Sequence, residues 1–332
     1  YRMNTRIRYF ALHCPSRAAS SSYHSAFRSF DEMNARLKAL VRSNPRLASL
    51  RTFGDGALLL KLAHRGKSPK PQIWIQGGLH AHEWIGSATV MYLADALLSS
   101  DMLQKADVYL VPVVNVDGYR QTWTNDRFMG HTANGVNPNL NFPTAWGEFP
   151  WYVKSLMRPY EPSSNLYVGL SPLSELCCRA VAEEIRKLPS LTLFIDLHAH
   201  GQKWMFPYGY STEPSPHHAQ LERAAFAATQ AVKAVHGKQY DVIQASKLET
   251  PGGGTMLDWV YEELRVPHCY AVELRPEFPS KWQLFKAFLG RGRRAYCEGF
   301  ELPEDQIEQV GEEIFEGVRV VTEHALETSK MK

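Results

Sequence analysis

His80 and Glu83 are the first residues of this chain whose types and spacing suggest chemistry. They belong to a polar segment, residues 77–84, which follows an apolar run at 72–76 and precedes apolar residues at helical spacing over 85–98. The segment opens with two glycines, which allow a sharp turn from strand to helix. An imidazole and a carboxylate three residues apart can reach one metal ion, and both ligand types suit Zn²⁺. Because so short a motif arises by chance, a polar turn that opens a helix is the better explanation unless a third ligand exists.

Apolar patterns along the chain predict strands that alternate with helices. Strands are predicted at 57–62, 72–76, 108–114, 191–197 and within 266–274, and helices between Ser29 and Pro45 and at 85–98, 171–188, 217–236 and 304–326. Residues 115–118 are expected to form a turn, and 119–168 an irregular stretch that its tryptophans keep from being disordered. This alternation predicts a single α/β domain with a mostly parallel sheet covered by helices on both faces.

Two further polar residues end predicted strands. His198 follows the fourth predicted strand, and Glu273 ends the fifth. Because ligands of such sheets bind at the carboxyl ends of strands, we expect both residues to lie near His80 and Glu83. His198 is then a third metal ligand rather than a structural hydrogen-bonding residue. Glu273 is then a general base rather than the salt-bridge partner of Arg275.

This constellation predicts hydrolytic chemistry. Three protein ligands leave the fourth position of Zn²⁺ open, which is the pattern of a catalytic rather than a structural site. Zinc lowers the pKa of bound water to about 7 and polarises a carbonyl, and a nearby carboxylate such as Glu273 can accept the proton.

Composition excludes several classes of protein. The 332 residues carry a net charge of +3, which is too mild to indicate binding to nucleic acid or to an anionic membrane, and no apolar run approaches the roughly 20 residues of a membrane span. The five cysteines leave at least one thiol without a partner in the chain, and we expect most of them to be small buried side chains.

Residues 1–22 show little periodicity and are an expected N-terminal extension to a domain at 23–332. No secretory signal is visible after Tyr1, although a signal or pro-segment removed earlier stays an open alternative.

Six motifs resemble the zinc metallocarboxypeptidases of the pancreatic carboxypeptidase A/B type. They lie at residues 77–84, 115–118, 135–147, 198 with 206–210, 253–259 and 272–275. The resemblance runs from about residue 23 to 326. It implies an eight-stranded mixed sheet, one Zn²⁺ on His80, Glu83 and His198, and Glu273 as general base. It also implies a peptide or other amide-containing substrate, a monomer, and secretion or residence in the secretory or vacuolar pathway.

The departures from that family concern substrate recognition. Asn139 is retained from the group that holds the substrate's terminal carboxylate. The other positions are changed: Leu140 replaces the carboxylate-binding arginine, Gly130 the oxyanion-stabilising arginine, His82 the arginine between the zinc ligands, Ile243 the mobile tyrosine, and Asn137 the acidic partner of the first zinc histidine. Leucine cannot replace a charge-assisted arginine contact. His82, His131 and His200 are candidate partial substitutes, although a polar residue near the rim of the site is the better explanation for each.

Three interpretations follow from these departures. The first is an active zinc hydrolase with atypical substrate recognition, and the second is a zinc-binding protein without useful turnover. The third is an ordinary exopeptidase whose carboxylate contacts come from Lys203, Lys247 or Arg275. By resemblance, Leu257 lies at the floor of the side-chain pocket, which predicts a preference for apolar residues. Combined Leu140→Arg and Gly130→Arg substitutions are expected to raise activity on free C-termini.

Overall fold

The computed structural model of this chain describes residues 23–64, 69–248, 251–277 and 299–329. The N-terminal extension expected at 1–22, and with it Cys14, lies outside the described residues, as does Cys297. The three described cysteines, Cys177, Cys178 and Cys269, are free and buried, which agrees with the prediction of small buried side chains.

Eight strands form one mixed sheet. They are β1 Ala48–Phe53, β2 Ala57–Leu62, β3 Gln72–Gly77, β4 Asp107–Val111, β5 Leu191–Gly201, β6 Lys203–Phe206, β7 Asp241–Gln244 and β8 His268–Glu277. Their order across the sheet is β1-β2-β4-β3-β5-β8-β6-β7, and four of the seven neighbouring pairs are parallel. Every residue of β5 after Leu191 is buried, although successive side chains point to opposite faces of the sheet. Both faces are therefore covered, as a mostly parallel sheet requires.

Nine α-helices lie in the described part of the chain. They are α1 Phe30–Ser43, α2 Trp84–Ala96, α3 Met102–Lys105, α4 Val116–Thr124, α5 Trp151–Met157, α6 Leu176–Arg186, α7 His218–His236, α8 Met256–Glu262 and α9 Ile307–Ser329. The capping box of Ser29 and Glu32 opens α1, within the helix predicted between Ser29 and Pro45. Helix α2 packs unusually close to the central strand, because a Cβ at Gly86 would lie 2.7 Å from the carbonyl oxygen of Leu197. This close approach brings the start of α2 beside the end of β5.

The turn predicted at 115–118 is wrong. Residues 116–124 form α4, and the Asn115 side chain caps this helix by accepting a hydrogen bond from the backbone N–H of Gly118. Asp117 and Gly118 therefore lie in a first helical turn. An Asp-Gly pair favours turns, but an Asn cap three residues before the glycine satisfies the same backbone groups within a helix.

The strands predicted around the site are longer in the structure. Strand β5 continues through His198 to Gly201, and β8 continues past Glu273 to Glu277. Both residues therefore lie within strands rather than at their ends. Polar side chains break the apolar pattern on which the prediction rests, whereas backbone pairing between β5 and β8 continues beyond them.

The apolar pattern of the sequence does not predict the short or less apolar elements. Strands β1, β6 and β7 were not predicted, and two of them have only four residues. The helix predicted at 171–188 is shorter, since α6 begins at Leu176 with Glu175 as its N-cap. Leu173 has a positive φ of 56°, so a right-handed helix cannot continue from Pro172.

Candidate active site

His80, Glu83 and His198 converge at the end of β3 and within β5. One ligand atom from each of them lies within 4.8 Å of the others. The Glu83 carboxylate is central: its Oε1 lies 3.0 Å from Nδ1 of His80, and its Oε2 lies 2.9 Å from Nδ1 of His198. Two Nδ1 atoms and a carboxylate therefore face one small volume, which is a donor set that suits Zn²⁺.

The outer nitrogens of both histidines have oxygen partners. Nε2 of His80 lies 3.0 Å from Oδ1 of Asn137, and Nε2 of His198 lies 3.0 Å from Oδ2 of Asp196. The Asn137 side chain is oriented by its own contacts, because Nδ2 donates to the Asn165 carbonyl and Oδ1 accepts from the Asn139 backbone N–H. The oxygen beside Nε2 of His80 favours the proton on that nitrogen, which leaves the Nδ1 lone pair of His80 for a metal. A neutral asparagine thus performs the orienting role for which the sequence suggested a missing acid.

The charges of neighbouring residues shift the pKa of each of the three proposed ligands. Burial raises the pKa of Glu83, but the two histidines outweigh it and hold that pKa below its usual range. Burial lowers the pKa of His198, yet Asp196 and Glu83 raise it overall. The pKa of His80 is raised in the same way, since Glu83 outweighs the effect of burial. Positive charge is therefore favoured at both imidazoles, and a cation bound here would replace their protons.

Glu273 lies next to His198 in the sheet. The two residues are partners in the parallel pairing of β5 with β8, so their side chains project from the same face. Burial and the negative charge of Glu83 raise the pKa of Glu273 to about 7, against the opposing effect of His198, His80 and Lys203. This carboxylate can therefore exchange protons near neutral pH, which is what a general base requires.

The loop between β3 and α2 is shaped by close packing. Gly78 has a φ of +64°, and a Cβ there would lie 2.8 Å from Oγ of Ser87 and 3.0 Å from Cα of Val113. Only glycine fits this left-handed and crowded position without strain. The glycine pair seen in the sequence thus turns the chain directly into His80 and Glu83.

His82 occupies the space that Gly130 leaves open. Its ring contacts Phe300 edge to face at a centroid distance of 4.1 Å, and a Cβ at Gly130 would lie 2.2 Å from its Cε1. Burial lowers the pKa of His82 to about 4, and burial also lowers the pKa of His131. Both side chains are therefore neutral at pH 7 and cannot supply the charge of the missing arginines.

Leu140 packs in a small apolar cluster that is separate from the main core. Its partners are Phe149, Val153 and Val168, and its side chain is 9% exposed. An arginine at 140 would place a guanidinium in this cluster, and an arginine at 130 would need the volume of His82. We therefore do not expect the two substitutions to restore a carboxylate clamp, contrary to the expectation from sequence.

The three candidate substitute cations differ in position. Arg275 is 2% exposed and binds Glu313, Gln306 and Gln309, so it faces α9 and not the site. Lys247 is exposed. Lys203 pairs with Glu273 across β6 and β8, and its ammonium affects the pKa of that carboxylate. Only Lys203 of these three is therefore placed beside the proposed base.

The remaining predicted site residues have the following surroundings. Asn139 accepts a hydrogen bond from the backbone N–H of Met256 through Oδ1 at 3.0 Å. His200 is buried edge to face against Phe300, Leu257 is 4% exposed at the start of α8, and Ile243 is half-buried on β7.

Asp196 is the main site residue that the sequence analysis missed. It is 1% exposed, two residues before His198 on β5, and it also accepts a hydrogen bond from Nε2 of Gln76 at 3.1 Å. Residues two apart on a strand share a face. An acid two positions before a proposed histidine ligand is therefore the signal that would have identified it.

Comparison with known proteins agrees with this geometry. The zinc carboxypeptidase family model matches residues 33–317, which is most of the chain. The chain belongs to the zinc carboxypeptidase family. It is therefore a metallopeptidase, and the resemblance and fold class predicted from sequence are confirmed.

Relatives and solved structures cover nearly the whole chain. Carboxypeptidase B of Astacus astacus is 32% identical over 328 residues, which cover 93% of this chain and 98% of the relative. Carboxypeptidase A2 of Rattus norvegicus is 30% identical over 320 residues, covering 90% of this chain and 70% of the relative. The crystal structure of thrombin activatable fibrinolysis inhibitor superposes with a TM-score of 0.80 at 26% identity, covering 94% of this chain and 77% of that one.

Within the described residues, no helix combines the length and apolar character needed to cross a membrane.

Proposed function

We propose that this member of the zinc carboxypeptidase family hydrolyses peptide bonds with one Zn²⁺ held by His80, Glu83 and His198. The observation that carries the proposal is the placement of two Nδ1 atoms around one carboxylate, with their outer nitrogens next to Asn137 and Asp196. Zinc bound there would supply the Lewis acid that polarises a peptide carbonyl and the attacking water.

We also propose that the protein is a monomer and that it is secreted or resides in the secretory pathway.

Glu273 is the proton carrier in this proposal. Its carboxylate accepts a proton from the attacking water and then delivers it to the nitrogen of the leaving amine. A pKa near 7 suits both transfers, since the group gains and loses a proton at little cost near neutral pH. A protein that only binds zinc needs no such base, which favours turnover over a binding role.

Substrate recognition is the point at which this chain differs from the family pattern. Leucine and glycine stand at 140 and 130, and the histidine at 82 is neutral at pH 7. A terminal carboxylate would therefore lose water without gaining its usual charged partners. We propose a hydrolase that tolerates blocked C-termini. The second candidate, an exopeptidase anchored by Lys203, rests on the position of that lysine beside Glu273.

Hydrolysis of a free-acid peptide and of its C-terminal amide separates these candidates. Charge-assisted hydrogen bonds contribute about 1.5–3 kcal/mol, so an intact carboxylate clamp would favour the free acid by about tenfold or more. We expect the amide to be cleaved at least as fast as the acid.

The matched variant in this comparison is Lys203→Met, which keeps the length of the side chain and removes its charge. A tenfold preference for the acid that disappears in Lys203→Met would establish the second candidate. A preference that persists in the variant would mean that other residues rebuild the clamp.

The leucine at position 257 is the basis for the predicted side-chain preference of the pocket. An aliphatic floor offers no partner to an ammonium or guanidinium, and the effective penalty for burying an unpaired ion is several kcal/mol. We expect Phe and Leu substrates to exceed Lys and Arg substrates in kcat/KM by about 100-fold. Leu257→Asp should shift the preference toward basic residues. Equal rates for both classes in the unsubstituted chain would show that Leu257 does not contact the substrate.

A further inference from the structure

Arg127 connects the two flanks of the Glu83 ligand. Its Nη1 donates to the backbone carbonyl of His82 at 2.7 Å, immediately before Glu83 in the chain. Its guanidinium carbon lies 3.8 Å from the centroid of the Trp84 ring, immediately after Glu83. The Nη2 atom donates to the Phe300 carbonyl at 2.6 Å. One side chain therefore contacts the residue on each side of the proposed central ligand.

Residues of α4 hold the Trp84 ring that Arg127 contacts. Trp84 stacks on Trp123 at a centroid distance of 4.3 Å and an interplanar angle of 9°, and its indole N–H donates to Oγ1 of Thr122. Both partners lie on α4, and Arg127 follows that helix in the chain. The first turn of α2, where Glu83 is the N-cap, is thus attached to α4 by stacking and hydrogen bonds.

The second donor of Arg127 binds a segment distant in the chain. Phe300, whose carbonyl it binds, contacts the rings of His82 and His200 edge to face. His82 in turn lies stacked near His80 at a centroid distance of 6.2 Å. Arg127 therefore connects the ligand loop to the segment around Phe300.

We propose that Arg127 is a positioning residue that fixes the backbone of the 80–84 loop and so sets the affinity of the site for zinc. The Glu83 carboxylate can meet both imidazoles only if the peptide units on each side of it stay in place. Loss of groups that orient metal ligands typically weakens metal binding by about 10–100-fold. The inference rests on the zinc site proposed above and adds to it a residue that is not one of the proposed ligands.

The test is the zinc dissociation constant of the full chain, measured by competition with a chromophoric chelator. We expect Arg127→Met to bind zinc about tenfold more weakly than the unsubstituted chain. Arg127→Lys should show a smaller loss, since an ammonium retains the charge and one donor but not the planar pair. Should Arg127→Met fail to fold, Arg127→Lys carries the comparison.

The matched control is Arg36→Met, on α1, whose partner Asp95 lies at the other end of α2 from Glu83. Arg36 is also half-buried, hydrogen-bonds Asp95 at 2.8 Å and lies over the Tyr23 ring at 5.3 Å. Its loss should lower the melting temperature without changing zinc affinity. Unchanged affinity in Arg127→Met, or an equal loss in Arg36→Met, would overturn the role of Arg127 while leaving the zinc site intact. Absence of zinc binding by the unsubstituted chain would instead overturn the zinc site and this inference with it.

Discussion

Glu273→Gln is expected to lower kcat for peptide hydrolysis by about 10²–10⁴-fold while leaving zinc bound. Glutamine has nearly the same shape as glutamate but cannot accept the proton of the attacking water. The three ligand side chains are untouched by this change. The measurement is steady-state hydrolysis of an internally quenched peptide together with zinc content of the same preparation.

The pH profile gives a second readout of Glu273. The base acts in its ionised form, so activity should rise with pH on the acid limb. Burial and Glu83 raise the pKa of Glu273 to about 7, whereas a cation at the neighbouring site favours the carboxylate. The acid limb should therefore lie at or below about pH 7, and the residual activity of Glu273→Gln should lack it.

Glu277→Gln is the control for this substitution. Glu277 lies on the same strand and is exposed, so its loss removes the same charge from β8 without touching the site. A Glu273→Gln variant that keeps the activity of Glu277→Gln would assign the base to another residue.

His198→Ala is expected to weaken zinc binding by more than the roughly 10–100-fold that loss of a group orienting a metal ligand causes. The substitution removes one of three ligands and leaves Glu83 and Asp196 as buried carboxylates without their shared imidazole. Hydrolysis should fall in parallel, and added zinc should restore part of it. The measurement is chelator competition over a range of free zinc.

His236→Ala serves as the matched histidine control, since His236 hydrogen-bonds Glu312 on α9 at 2.7 Å and lies at the end of α7. Full zinc content in His198→Ala at the free zinc level that saturates His236→Ala would contradict the ligand assignment.

The positions that the sequence identified are those with local signals. His80 and Glu83 follow a buried strand and a pair of glycines, and α2 begins one residue from its predicted start. Polar residues after apolar runs indicated His198 and Glu273, since parallel strands bring such positions to one region. These signals depend on composition over a few residues, which a single sequence displays.

The contacts that complete the site are not local. Asn137 reaches His80 from a loop 57 residues further along the chain. The apolar cluster around Leu140 and the steric fit of His82 against Gly130 depend on tertiary packing. No periodicity in the chain encodes such contacts, so the expected rescue by two arginines could not be checked before the structure.

The zinc content and zinc dependence of the unsubstituted chain test the central claim most directly. The protein is dialysed against a chelator and divided into two portions, and one portion is then loaded with Zn²⁺. Both portions are assayed on a quenched peptide with an amidated C-terminus. We predict one zinc per chain in the loaded portion and hydrolysis in that portion alone. Hydrolysis that survives chelation, or a loaded protein that holds zinc but does not cleave peptides with free or amidated ends, would contradict the proposed function.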